Sequence, residues 1–174
     1  MNKNKIFLLN FLILIFISNV CFAKNKNVPI QVNSDKMVYT QDKNVVVFLG
    51  NVYVKQGKLN LWADKITVFF ATQKIKNQDI VTAGGNKDIK KIVAEGKVKI
   101  VKEDKEARCG LAIYWPETKK IVLEKNPILK QKENEIQGEK IVFYLDNNSL
   151  EIFGNNTRRV QAIFFEQGKG IQSE

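Results

Sequence analysis

The sequence of 174 residues predicts an all-β protein, and three observations support this prediction. Apolar and polar residues alternate from Val28 onward, as in strands whose successive side chains point to opposite faces of a sheet. Short polar clusters suited to tight turns separate these runs, as in Gln56-Gly57-Lys58 and Asp146-Asn147-Asn148-Ser149. No useful window sustains the i, i+3, i+4, i+7 spacing of an amphipathic helix. We therefore expect strands joined by short turns.

The alternating runs define the predicted strands in chain order. Their apolar positions are Val52 and Val54, Leu59 and Leu61, Ile66 and Val68, Val98 and Ile100, and Ile141 and Phe143. A longer polar segment, Thr72 to Lys91, contains Gly84-Gly85 and interrupts the pattern. This segment predicts a loop, inside which Ile80-Val81 could form a short strand.

An internal repeat explains the regular strand spacing. Asp35-Lys36, Asp64-Lys65 and Glu139-Lys140 each precede an apolar run, and Gly110-Leu111 begins a divergent copy. The aromatic residues taken as equivalent, separated by steps of 30, 45 and 30 residues, are Tyr39, Phe69, Tyr114 and Tyr144. A unit of two or three strands cannot bury an apolar face alone, so stacked units predict a rolled, layered β structure.

The first 23 residues predict a signal peptide. Lys3 and Lys5 give a positive start, residues 6–17 are almost entirely apolar, and Cys21-Phe22-Ala23 presents small residues at the positions a signal peptidase reads. A retained membrane anchor is the alternative, although it needs about 20 mostly apolar residues. A lipid anchor on Cys21 is disfavoured, because a bulky valine precedes it. We expect export, cleavage near Ala23 and one domain over residues 24–174.

The charge and the cysteine content limit the classes of function. The formal charge is +10, and removal of Lys3 and Lys5 leaves 10 − 2 = +8. This excess suggests an anionic partner such as a lipid head group, although a compositional bias of the genome would also produce it. Without Cys21 the chain keeps only Cys109, so no intramolecular disulfide can form. Cys109 has no histidine partner, and we expect it to be a small core or strand residue and not a nucleophile.

The sequence offers little catalytic chemistry. It contains no histidine, which removes the usual general base and the commonest transition-metal ligand. Asp35, Asp64 and Glu139 could form paired carboxylates, but an acid that recurs once per repeat is more typical of a turn. Gly84-Gly85 lacks the spacing of a phosphate-binding loop. Aromatic residues interleave with lysines, but export argues against nucleic acid as the partner. We expect no enzyme, no cofactor and no metal.

The apolar face of the strands leaves two structures open. In a small closed barrel it would only fill the core, whereas in a jelly roll with splayed halves it would line a groove for acyl chains.

The two ends of the chain raise a second question. Residues 28–32 include Pro29, which suits an edge strand, and residues 160–165 form another apolar run. Open edges would allow head-to-tail assembly, and loops or the tail could instead cap them.

Several ordered stretches identify a known family. The sequence resembles the OstA-like family of lipopolysaccharide-transport proteins over nearly the whole mature chain. The stretches that show the resemblance are Pro29 to Asp35, Phe48 to Gly57, Ala63 to Ile66, Ala94 to Gly96, Ile136 to Ile141 and Arg158 to Val160.

The resemblance implies a twisted, open β-jelly roll in the periplasm, with no catalytic activity and no cofactor. Its apolar interior would hold the acyl chains of lipid A, the ligand being lipopolysaccharide. Copies would join head to tail and form part of a bridge between the membranes. The N-terminal edge would face the inner-membrane export complex, and the C-terminal edge would face the outer-membrane translocon. A related docking or adaptor domain without its own lipid track is the alternative.

The resemblance also implies particular residues. Family positions that line the lipid fall on Ile30, Ile100 and Tyr114. Alternation adds further groove residues, which are Val52, Val54, Ile66, Val68, Leu129, Ile141 and Phe143. The residues expected at the partner edges are Val28, Ile30 and Val32 at the N-terminal side and Val160, Ala162 and Phe164 at the C-terminal side.

Overall fold

The structure is a computed structural model that describes residues 28–40, 43–71 and 89–165. Strands joined by turns and short connections make up these ranges, which confirms the all-β prediction, and none of them contains a helix long and apolar enough to cross a membrane. The predicted signal peptide lies outside the described residues. The strands are β1 (Ile30–Asn33), β2 (Lys36–Thr40), β3 (Val45–Gln56), β4 (Leu59–Phe70), β5 (Ile89–Lys102), β6 (Lys105–Trp115), β7 (Lys120–Glu124), β8 (Ile128–Gln131), β9 (Asn134–Gln137), β10 (Lys140–Tyr144), β11 (Ser149–Phe153) and β12 (Gln161–Ile163).

These strands form one antiparallel sheet that folds across a line through the middle of each long strand. The first half of β3 pairs with β2 and its second half pairs with β1, and β6 divides in the same way between β7 and β8. The fold line therefore divides the sheet into two leaves of eight strand segments each. Leaf A contains β2, residues 45–49, 65–70, 89–95 and 111–115, β7, β10 and β11; leaf B contains β1, residues 52–56, 59–63, 98–102 and 105–109, β8, β9 and β12.

Left-handed backbone at the fold line makes the bend. Gly50 and Gly96 have φ of 75° and 76°, a region that glycine adopts without steric cost. A Cβ on Gly50 would lie 2.2 Å from Oδ2 of Asp35, and a Cβ on Gly96 would lie 2.3 Å from Oδ2 of Asp64. Asp35 and Asp64 therefore lie against the bend in the neighbouring strand, and Asp64 does so from within β4, where the sequence had suggested a turn.

The aromatic alignment of the repeats is wrong by one residue in two of the four units. The side chains that share the inner face of leaf A are those two and four positions after the first residue of each repeat, that is, after Asp35, Asp64, Gly110 and Glu139. This rule makes Val68 and Phe143 equivalent to Tyr39 and Tyr114. Phe69 and Tyr144 point outward instead, where Lys91 and Lys120 lie 4.5 and 5.4 Å from their ring centroids. Cation–π contacts stabilise these outward aromatics, so aromatic character did not mark the inner face.

The loop predicted at Thr72 to Lys91 is shorter at its C-terminal end than the sequence suggested. Strand β5 already begins at Ile89, which pairs with Phe70, and Lys91 pairs with Phe69. Residues 72–88, with the possible Ile80-Val81 strand, lie outside the described residues.

Candidate functional site

The two leaves face each other with apolar side chains along their whole width. In three inner rows, each of the eight strand segments of a leaf contributes one residue, so each row extends from the N-terminal edge to the C-terminal edge. In leaf A the rows are Met37, Phe48, Ile66, Ala94, Ala112, Leu123, Ile141 and Ile152, and Tyr39, Val46, Val68, Ile92, Tyr114, Ile121, Phe143 and Leu150. In leaf B the row is Val32, Val54, Leu61, Ile100, Ala107, Leu129, Ile136 and Ala162.

The ten predicted groove residues lie at different depths on this inner surface. Tyr114 lies between Ile92 and Ile121 in leaf A, and Ile30 is 58 % exposed at the edge of leaf B. Three predicted residues pack against the core, namely Val54, Val68 and Ile100. Five are buried within it, namely Val52, Ile66, Leu129, Ile141 and Phe143.

Sequence reasoning missed the small residues at the centre of the core. Ala94 and Ala112 face each other across β5 and β6, and Ala63 and Ala107 are also buried. These side chains lie near the fold line, where a sharp bend leaves little room between the leaves. The alternation of apolar and polar residues could have predicted these alanines, since each occupies an inward position between larger apolar residues.

The interior is closely packed in this structure. Ile141 and Leu123 are 0 % and 1 % exposed, and residues from both leaves share one apolar cluster. A cleft of about 20 Å³ remains between Leu129 and Ile136 of leaf B and Leu150 of leaf A. A cleft of this size has room for about one water molecule. An acyl chain could enter only if the free ends of the leaves moved apart.

Cys109 belongs to this apolar interior. Burial raises the pKa of its thiol to about 11, so the thiol is protonated at neutral pH and is a poor nucleophile. This agrees with the sequence interpretation of Cys109 as a small core residue. It also agrees with an interior that contacts apolar groups.

The recurring acids do not converge on one catalytic site. Asp35 and Asp64 are separated by β3, and Asp64 and Glu139 are separated by β5, β6 and β7. Asp35 instead accepts a hydrogen bond from Asn51 Nδ2 at 2.9 Å. Among the described residues, no group of three possible metal ligands comes together.

Exposed aromatics of leaf B contact their neighbours on the outer face. Tyr53 and Trp62 stack with ring centroids 5.3 Å apart, and Nζ of Lys99 lies 5.6 Å from the Trp62 ring. The Tyr53 hydroxyl donates a hydrogen bond to Oδ1 of Asn60 at 2.7 Å. This interleaving of aromatics and lysines is a property of cross-strand packing.

Both ends of the folded sheet present apolar side chains. β1 and β2 pair with β3, while β11 pairs with β10 and β12 pairs with β9. Val28 and Ile30 are exposed at the first end. Val160 and Phe164 are exposed at the other, and Ala162 pairs with Ile136 in the inner row of leaf B. Each end of the sheet therefore combines edge strands with exposed apolar surface.

A family model described as LptA/(LptD N-terminal domain) LPS transport protein matches residues 31–149, which is more than half of the chain. The chain belongs to this family. Membership confirms the OstA-like resemblance and the prediction of a transport protein rather than an enzyme.

Individual relatives agree with the family assignment. The lipopolysaccharide export system protein LptA of Haemophilus influenzae is 27 % identical over 173 residues, which cover 97 % of each chain. The protein of the same name from Escherichia coli is 27 % identical over 135 residues, covering 78 % of this chain and 70 % of the relative.

A solved structure shows the same fold. The crystal structure of LptH from Pseudomonas aeruginosa, described as the LptA-homologous periplasmic component of the lipopolysaccharide transport device, has a TM-score of 0.63 at 18 % identity. The match covers 80 % of this chain and 96 % of LptH. It confirms the predicted open β-jelly roll.

Proposed function

We propose that this protein is a periplasmic lipopolysaccharide carrier that holds the acyl chains of its ligand between leaf A and leaf B. The observation that supports this proposal most directly is the continuity of the inner rows. Each row crosses all eight strand segments of its leaf without an acidic or basic side chain. Tyr39 and Tyr114 contribute the polar atoms of these rows, at the ends of their side chains.

The energetics of the inner surface suit a lipid. Each methylene group moved from water to this surface contributes about 0.8 kcal/mol, and an apolar row has no hydrogen bond that would fix one position. A chain bound in this way can slide from strand to strand at little cost. Transport along the protein would then be passive, and the energy would come from another component of the export system.

Uptake of a chain requires the leaves to separate, because the interior is packed. The fold line, which contains Gly50 and Gly96, holds the leaves together, and the turns at their free ends form the mouth of the groove. Opening at the mouth would break contacts between the leaves but no strand pairing, because every described pair lies within one leaf. The acyl chains would replace the lost side-chain contacts.

The two ends of the sheet would link copies of the chain. Unpaired backbone groups on β1 and β2 at one end, and on β11 and β12 at the other, can add strands from a neighbour. Joining unlike ends makes a head-to-tail assembly and aligns the inner rows of successive copies. In this proposal Val28, Ile30 and Val32 face the inner-membrane export complex or a preceding copy. Val160, Ala162 and Phe164 face a following copy or the outer-membrane translocon.

Photo-crosslinking in living cells tests the carrier proposal. A photoreactive amino acid replaces Tyr114 or Phe143 on the inner face, and in matched controls it replaces Ile113 or Tyr144, the adjacent outward residues. We expect lipopolysaccharide adducts at Tyr114 and Phe143 but not at the outward positions. The pairs differ by one residue, so expression and export are closely matched.

The same experiment tests the alternative function. A packed interior would also suit an adaptor that joins partners through its edges and holds no lipid. Folded, exported protein without adducts at Tyr114 and Phe143 would contradict the carrier proposal and favour the adaptor.

A further inference from the structure

One inner row of leaf B differs sharply from the others. It lies next to the turns that join β3 to β4, β5 to β6 and β8 to β9, on the same face as the apolar row. We call it the lip row, and its residues are Ile30, Gln56, Leu59, Lys102, Lys105, Gln131 and Asn134. The apolar row contains no charge, whereas the lip row, one step closer to the mouth, contains two lysines and three amides. The inner surface of leaf B is therefore amphipathic across its width.

The two lysines are direct cross-strand partners. Lys102 of β5 lies opposite Lys105 of β6, on either side of the Glu103-Asp104 turn. The pairing holds two positively charged side chains next to each other on the inner face of leaf B, where they concentrate positive charge at the lip.

The acids of the turn lie close enough to the two lysines to interact with them electrostatically, and each also has a direct partner elsewhere. Glu103 forms an ion pair with Lys58 at 2.7 Å, and Oδ2 of Asp104 accepts a hydrogen bond from Gln131 Nε2 at 2.9 Å. These contacts tie the β5–β6 turn to the ends of β4 and β8. They also fix the part of the lip on which the two lysines stand.

Lys105 also borders the interior. It lines the cleft between the leaves together with Leu129, Ile136 and Leu150. A lysine whose apolar stem borders the cleft can hold its charged end at the mouth, which matches an amphiphile with its tail inside and its negative charge outside.

We propose that Lys102 and Lys105 bind a phosphate on the head group of the amphiphile whose tail lies between the leaves. This inference rests on the carrier function proposed above and adds an orientation to it. The head group would lie at the leaf B side of the mouth, close to β5 and β6. The acyl chains would extend toward the inner rows of leaf A.

Binding of two lipids to the full mature chain tests this assignment. The probes are purified lipopolysaccharide and the same preparation after chemical removal of its phosphates, with inorganic phosphate as a third ligand. The variant is Lys102→Gln/Lys105→Gln. Its control is Lys36→Gln/Lys55→Gln, which removes the same charge from exposed outward positions.

We expect the Lys102→Gln/Lys105→Gln variant to lose about five- to tenfold in affinity for the phosphorylated lipid, because charge-assisted hydrogen bonds at a wet rim are of modest strength. Its affinity for the dephosphorylated lipid should match that of the parent, and the control should bind both lipids normally. Its Tm should stay close to that of the parent, so that a loss of affinity reports a lost contact and not unfolding.

Equal loss of affinity for both lipids, or no loss for either, would overturn the head-group assignment while leaving the carrier function intact. A parent chain that binds neither lipid would refute the carrier function itself. Binding of inorganic phosphate that depends on both lysines, without discrimination between the lipids, would show a site for free anions and would also overturn the assignment.

Discussion

The carboxylate of Asp64 lies against the α-carbon of Gly96, so closely that a Cβ on Gly96 would lie 2.3 Å from Oδ2. Asp35 and Gly50 form the same contact two strands away. The same contact therefore occurs twice along the fold line: an aspartate packs against a glycine with left-handed backbone in the neighbouring strand. The position of the bend depends on these pairs.

Replacing Gly96 with alanine should be costly for two reasons. The φ of 76° is unfavourable for alanine, and the new methyl group collides with the Asp64 side chain. We expect Gly96→Ala to lower the free energy of unfolding by about 2–4 kcal/mol, measured by urea denaturation.

Gly57 provides the matched control. Its φ is also positive, at 58°, but a Cβ there would meet only Cγ1 of Val28, at 3.5 Å. Gly57→Ala should therefore cost about 1 kcal/mol, from backbone strain alone. In addition, Asp64→Ala should recover part of the loss in the Gly96→Ala background. Equal losses at Gly57 and Gly96 would show that the acid contact does not matter.

The sequence predicted the strands well because burial on one face imposes a period of two that is visible without any structure. The inward positions Ile66, Ile141 and Phe143 were correct for that reason. Alternation likewise placed Phe69 and Tyr144 outward, but the alignment of the repeats on aromatic residues made these two equivalent to the inward Tyr39 and Tyr114. That alignment was wrong by one residue, because aromatic side chains also occur on the outer face, where lysines of the neighbouring strands contact them.

The division into two leaves was also beyond the sequence pattern. Continuous alternation through β3 and β5 gives no sign that each strand serves both leaves. Only residues with left-handed backbone, such as Gly50 and Gly96, mark the fold line. In the sequence these glycines suggest turns or bulges, but nothing there shows that they lie on one line across the sheet. The lysines of the lip row were missed for a similar reason. Lys102 and Lys105 look like solvent-exposed residues beside a turn until the pairing places them on the inner face.

The thiol of Cys109 should report the integrity of the packed interior. Burial raises its pKa to about 11, above the usual value of 9.0. Because the raised pKa favours the neutral thiol, its contribution to stability is present below pH 9 and is lost as the pH rises toward 11. In a chain that begins at Lys24, we expect the folded thiol at pH 8 to react with a disulfide reagent at least about a hundredfold more slowly than the urea-unfolded thiol.

The control for this measurement is Cys109→Ala/Thr118→Cys, which moves the single thiol to an exposed turn between β6 and β7. That variant should react rapidly whether it is folded or unfolded. Rapid reaction of Cys109 in the folded chain would mean that the leaves open readily even without lipid. The packed interior described above would then be a minor state.

The exposed apolar side chains at the C-terminal edge should control self-association. Ile163 in β12 is 53 % exposed and Phe164 follows it at 50 %, and the strand itself is only three residues long. A lysine at such a position blocks edge-to-edge pairing, because a neighbouring strand would have to bury its charge. We expect Ile163→Lys to raise the protein concentration needed for assembly by about tenfold in sedimentation experiments. Thr118→Lys, which adds the same charge at a turn in the middle of the sheet, should assemble like the parent. If both variants assemble normally, copies do not join through β12, and the head-to-tail arrangement would have to use β11 alone.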